Sequence, residues 1–125
     1  MYKVLFVCSE NRKRSQLAEV IFNYYAKNAQ AQSGGTNPVN AVDDRVRQVL
    51  EEMGIEHEEL KSKRVKKEDL DSADLIVSFG CLAPSMFPAN KFLEWHIDDP
   101  QTIEDFRKVR DQLKEKIAGL IEGNR

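Results

Sequence analysis

Val4-Leu5-Phe6-Val7-Cys8-Ser9-Glu10-Asn11-Arg12-Lys13-Arg14-Ser15 is the stretch on which the reading of this chain turns. Lys3 to Val7 is short and almost continuously apolar, the pattern of a strand buried on both faces. From Arg14 the period changes. Leu17, Val20, Ile21, Tyr24 and Tyr25 recur at helical spacing and give a helix with one apolar face. Between strand and helix, five residues separate Cys8 from Arg14. A loop of that length can turn its backbone N–H groups onto one point, and with a helix N-terminus they form an anion cradle. The same surroundings are expected to lower the pKa of Cys8. Arg14 can grip two oxygens of a tetrahedral oxyanion with its planar fork. A nucleophilic thiolate beside an oxyanion clamp points to attack on phosphorus or arsenic. Any Cys and Arg six apart can arise by chance; the following Ser15 and the strand–loop–helix context make the pattern far more specific.

Outward from this turn, Ala31 to Ser33 reads as a second strand closed by Gly34-Gly35. Val42, Val46, Val49, Leu50 and Met53 repeat the helical period, with Gly54 where a C-terminal cap belongs. Val65 to Asp71 reads as a connector with a helical turn, and Ala73 to Phe79 as another buried strand. Phe92 to Ile97 suits a fourth strand at an edge or strand end. Ile103, Phe106, Val109, Leu113, Ile117, Leu120 and Ile121 define a long last helix with Thr102 as N-cap. Strands alternating with helices predict an α/β fold. The expectation is a three-layer αβα sandwich of about four parallel strands with helices on both faces. Ligands bind such sheets at the carboxyl ends of the strands, where the loop after Val7 lies.

The 125 residues suit one domain, 1–125. Nineteen Lys and Arg oppose 21 Asp and Glu, for a net charge of −2, so no basic excess supports nucleic-acid binding. No apolar run approaches the roughly 20 residues of a membrane helix. Met1 to Val7 lacks the features of a signal peptide, and a cytoplasmic location is expected. The two cysteines, Cys8 and Cys81, are too few and too far apart for a zinc site or a disulfide framework. No metal or cofactor is expected.

Val-Leu-Phe-Val-Cys8-x-x-Asn11-x-x-Arg14-Ser15-x-x-Ala18-Glu19 resembles the start of the low-molecular-weight protein tyrosine phosphatases and of the arsenate reductases that share their fold. The likeness continues through Ser33-Gly34-Gly35, Asp74 to Val77 and Trp95…Asp99-Pro100…Phe106-Arg107-x-Val109-Arg110-Asp111, most of the chain. It implies that Cys8 is the nucleophile and that Arg14 binds the oxyanion within the loop Ser9, Glu10, Asn11, Arg12, Lys13 and Ser15. It further implies that Asn11 holds the shape of the loop, that Ser15 stabilises the Cys8 thiolate, and that Asp99 is the general acid. The chemistry agrees on Asp99, because expelling an alkoxide or phenoxide calls for a positioned proton donor, and hydrolysis of a phosphocysteine then calls for a base. Pro100 holds Asp99 extended and favours it over Asp98.

The chain departs from the family pattern in several places. Lys13 stands where many relatives have a second loop cysteine. Glu10 and Arg12 put opposite charges beside the site, and Glu10 is expected to face solvent. Gln101 and Thr102 replace the aromatic residues that follow Asp-Pro in the tyrosine phosphatases, which argues against phosphotyrosine. Cys81, in Phe79-Gly80-Cys81, resembles the position from which the reductases attack the first cysteine, but their next cysteine is missing. Those relatives also hold a potassium ion near the loop, and Asn11, Glu19 and Ser33 match parts of that site.

Three functions follow, in this order. The first is a phosphomonoesterase acting on a phosphorylated protein or small phosphomonoester through a phosphocysteine. The second is an arsenate reductase using Cys8, Cys81 and a thiol reductant such as thioredoxin. The third is a non-catalytic phosphoprotein-binding module, which would need neither Cys8 nor Asp99. His57 and His96 read as solvated or structural. Trp95 and Phe92 are more often core than substrate mouth. The basic run Lys61 to Lys67 reads as a solvated connector.

Overall fold

The computed structural model describes residues 1–123. Four strands, β1 (Tyr2–Cys8), β2 (Ala29–Gly35), β3 (Leu75–Ser78) and β4 (Phe92–Glu94), form one sheet in the order β2-β1-β3-β4. Every adjacent pair is parallel. β1 is therefore central, and this explains its unbroken apolar run. Val4, Phe6 and Cys8 face one side, while Leu5 and Val7 face the other.

The first side carries the main core. Helices α1 (Arg14–Tyr25), α2 (Asp44–Glu52) and α4 (Ile103–Gly123) cover it, through Leu17, Ile21, Phe22, Val46, Val49, Leu50, Phe106, Val109, Leu113 and Ile117. Glu52 clamps α2 to α4 by accepting from Arg107 and Arg110, and the Arg107 hydrogen bonds draw its carboxyl down to about 2. The second side is thinner. A six-residue helix, α3 (Lys67–Ser72), covers it together with the segment between β3 and β4, where Phe87 stacks on Phe92 at 4.9 Å. The three-layer expectation holds, with one outer layer much reduced.

Most expected ends are close to those found, but β2 runs on through Gly34 and Gly35, which pair with Val7 and Cys8 and form no turn. Gly54 takes φ +72° just past α2, the left-handed geometry that a helix stop favours. Thr102 Oγ1 accepts from the Asp105 N–H while the Asp105 carboxylate accepts from the N–H groups of Gln101 and Thr102, a reciprocal cap on α4. β4 is shorter than Phe92 to Ile97. Beyond Glu94 the chain keeps one ladder bond, from the Trp95 N–H to Ser78 O, and then bends across the strand ends. Trp95 packs on Phe6 and Phe79 in the core, so it does not line a substrate mouth.

Candidate active site

The loop from Cys8 to Arg14 leaves the carboxyl end of the central strand and runs into α1, whose N-terminus has no side-chain cap and no acidic residue in its first turn. Its N–H groups remain available to an anion. Cys8 Sγ lies 2.8 Å from Ser15 Oγ and 3.2 Å from the Asn11 N–H that donates to it. Ser15 Oγ already accepts from Asn11 Nδ2 at 2.8 Å, which leaves its own proton free to point at the sulfur. Cys8, Ser9, Glu10, Arg12, Lys13, Arg14, Asn37 and Asp99 line a cavity of about 260 Å³. Larger grooves occur elsewhere, one of 440 Å³ at the far end of the sheet and one of 620 Å³ beside the start of α2, but no cysteine lines either.

The titration of Cys8 corrects a sequence expectation. Burial pushes the thiol up from its ordinary value, and the hydrogen bonds from Ser15 and Asn11 pull it back without overcoming that effect. The nearby Cys81 adds a smaller upward push.

Arg14 is fixed from behind. Its Nη1 donates to the carbonyls of Phe79 at 3.2 Å and Ile97 at 2.6 Å, and its Nε stands 4.0 Å from Asp99 Oδ1. Asp99, half-exposed at the rim, also accepts from Gln101 Nε2 at 2.9 Å and Lys13 Nζ at 3.4 Å. Asp98 is exposed, and so is Glu10, as expected from its charge. Cys81 is exposed and follows Gly80, whose φ of +89° turns the chain at the end of β3. Because Val7 is level with Ser78, the chain brings Cys81 out at the same sheet edge as Cys8.

Asn11, named by the family likeness, is joined in shaping the loop by several groups that the sequence does not mark out. Asn11 is fully buried at φ +52°. Its Oδ1 accepts from Gln16 Nε2 and the Lys63 N–H, both at 2.9 Å, and Gln16 Nε2 also reaches Asn11 O and Lys61 O. Ser62 Oγ donates to Glu10 O at 2.7 Å, so the segment 61–63 braces the loop from outside. Asn37 and Asp43 donate backbone N–H groups to Ser9 O and Arg12 O. The Asp43 carboxylate accepts from Arg45 and Arg12, and Arg45 holds it down at about 2. Arg45 then spans to Gln101 O at 2.7 Å, linking the Asp99 segment to α2. Gln16 did carry a signal, a polar side chain in phase with Val20 on the apolar stripe.

A match over residues 3–83 to the low molecular weight phosphotyrosine protein phosphatases decides the family. The chain belongs to it. It is 34% identical to the glutaredoxin arsenate reductase of Synechocystis sp. over 97% of both chains. An arsenate reductase from Archaeoglobus fulgidus superposes with a TM-score of 0.81 at 34% identity, covering 95% of this chain and 98% of that one. A low molecular weight protein tyrosine phosphatase from T. tengcongensis gives 0.87 at 30% identity, over 98% and 99%. The family thus holds enzymes of both kinds on this one fold. Among the described residues no helix is long and apolar enough to cross a membrane.

Proposed function

We propose that this protein is an arsenate reductase that uses Cys8 and Cys81 and returns its electrons from an external dithiol of the thioredoxin or glutaredoxin kind, in a reducing cytoplasm. The observation that carries this reading is the exposed Cys81 thiol, which leaves the sheet at the same strand ends as Cys8. This reverses the order drawn from sequence, where the missing downstream cysteine weighed against the reductase. A cavity rim made of charged and polar side chains, without an aromatic wall, supports a small inorganic oxyanion over phosphotyrosine.

In this mechanism the loop N–H groups and the Arg14 guanidinium hold the arsenate oxygens. Cys8 passes its proton to the arsenate oxygen that will leave, with Ser15 and Asn11 stabilising the thiolate, and its sulfur attacks arsenic. An As–O bond breaks and the protonated oxygen leaves as water, a departure that Asp99 at the rim would assist. Cys81 thiolate then attacks Cys8 Sγ. The S–S bond forms, the S–As bond breaks, and its electron pair stays on arsenic, so As(V) becomes As(III) while two thiols become one disulfide. The external dithiol reduces that disulfide and resets the enzyme.

The second reading, a phosphomonoesterase, rests on Asp99, whose carboxylate meets the Arg14 side of the cavity. It would protonate the leaving oxygen and then activate water against a phosphocysteine. A phosphoprotein-binding module would need neither Cys8 nor Asp99 and is not proposed further.

The test is one turnover of arsenate without reductant, followed by disulfide mapping by mass spectrometry. A Cys8–Cys81 bond with stoichiometric arsenite, both lost in Cys81→Ser, is expected. Free thiols after arsenate exposure, with Cys81→Ser hydrolysing p-nitrophenyl phosphate like wild type, would sink the reductase reading and leave the phosphatase.

A further inference from the structure

Behind the loop, on the side away from the cavity, three oxygens converge. Glu19 Oε1 on α1 accepts from Ser33 Oγ on β2 at 2.6 Å, and the third oxygen is Lys61 O. Their shared neighbour is the ammonium of Lys63. Its Nζ stands 3.3 Å from Lys61 O, 3.5 Å from Ser33 Oγ and 3.6 Å from Glu19 Oε1. Glu19 and Ser33 are two of the residues that the family likeness assigns to a potassium ion. An ammonium already fills the cluster, and one carboxylate offers charge for a single cation only, so the residues present do not fit a bound potassium ion.

We propose that Lys63 Nζ is a tethered cation that takes the place of that ion, making the oxyanion loop of this protein independent of monovalent cations. The coupling to the loop is short. The Lys63 backbone N–H donates to Asn11 Oδ1, and Lys61 O accepts both from Lys63 Nζ and from Gln16, which itself holds Asn11. Glu19 lies one helical turn beyond Ser15, the partner of Cys8 Sγ. Ser33 lies two residues before Gly35, against which the loop packs. The ammonium therefore neutralises Glu19 and draws α1, β2 and the segment 61–63 together around Asn11. A covalently attached cation costs no binding step, and it cannot be washed out.

The test measures the thermal midpoint and the affinity for inorganic phosphate, by calorimetry, in KCl, NaCl and choline chloride at equal ionic strength. Wild type is expected to give the same values in all three salts. Lys63→Ala is expected to unfold at lower temperature and bind phosphate several-fold more weakly in choline chloride, with both properties recovering saturably in KCl. Lys63→Arg, which keeps a cation on the segment, should remain indifferent to the salt. A wild-type midpoint or affinity that rises with KCl over choline chloride would overturn the proposal, and that arm needs no variant. Equal losses for Lys63→Ala in every salt would overturn it too, since a merely structural side chain is not replaced by an ion.

Discussion

Gly35→Ala places a methyl group where the loop has no space for it. A Cβ at Gly35 would stand 2.5 Å from Ser9 O and 3.0 Å from the Asn11 nitrogen, both backbone atoms of the loop. Carbon reaches its best separation from such atoms at about 3.5 Å, so Ser9 must retreat by roughly 1 Å. It cannot do so alone. Ser9 O is held by the Asn37 N–H at 2.7 Å, and the Asn11 N–H is the one that reaches Cys8 Sγ. A displacement of about 1 Å at reacting groups can cost on the order of 10²-fold in rate. Overpacking itself costs about 1–3 kcal/mol of stability. The expected result is a protein that still folds, judged by far-UV circular dichroism and thermal melting, with phosphate affinity and kcat/KM both reduced by roughly two orders of magnitude. Gly119→Ala is the control, since a Cβ there meets nothing within 4 Å and the site is far from the cavity. If Gly35→Ala folds and keeps kcat/KM within threefold of wild type, as a rough bound, the view that this packing sets the loop is refuted.

Two further outcomes follow from the hydrogen bonds. Ser15→Ala removes the hydroxyl that favours the Cys8 thiolate, so the thiol pKa moves further up and the pH curve for alkylation by iodoacetamide shifts to higher pH; an unmoved curve would show that Ser15 does not act on the sulfur. Asp43 has a folded pKa of about 2 against an ordinary 3.8, so its contribution is fully present above 3.8 and fades as pH falls toward 2. With screening by its half-exposed arginine partners it is worth about 1–2 kcal/mol, and Asp43→Asn should narrow the wild-type advantage in urea melts at pH 2–3 compared with pH 7 as an approximate window.

The strand–loop–helix was legible because each part obeys a local rule. A central strand must be apolar on both faces, a helix on one face shows the 3.6 period, and a loop between them carries its chemistry in consecutive residues. The supports of the loop obey no local rule. Gly35, Asp43, Arg45, Ser62 and Lys63 act only because distant segments fold back onto residues 8–14, and in the sequence Lys61 to Lys67 is merely basic and polar. The upward shift of Cys8 is hidden from the sequence for the same reason. The groups that lower it are sequence neighbours, whereas the burial that raises it comes from the sheet and helices closing around it.

This division between a braced loop and its surroundings bears on how one fold serves two chemistries. The Cys8–Arg14 loop is held from α1, β2 and the segment 61–63, while Asp99 and Cys81 sit on exposed segments after β4 and β3. In the proposed cycle both groups act on the same Cys8 adduct but at different atoms. Asp99 would serve the oxygen leaving the central atom, and Cys81 the sulfur bonded to it. Attack at that sulfur is productive only if the central atom accepts the departing electron pair. Arsenic(V) does so readily and becomes arsenite. Phosphorus(V) does not, so a phosphocysteine beside Cys81 still waits for water. In the proposed cycle Cys81 would therefore add a redox outcome for arsenate without closing the hydrolytic one for phosphate, and the element at the centre of the oxyanion would select between them.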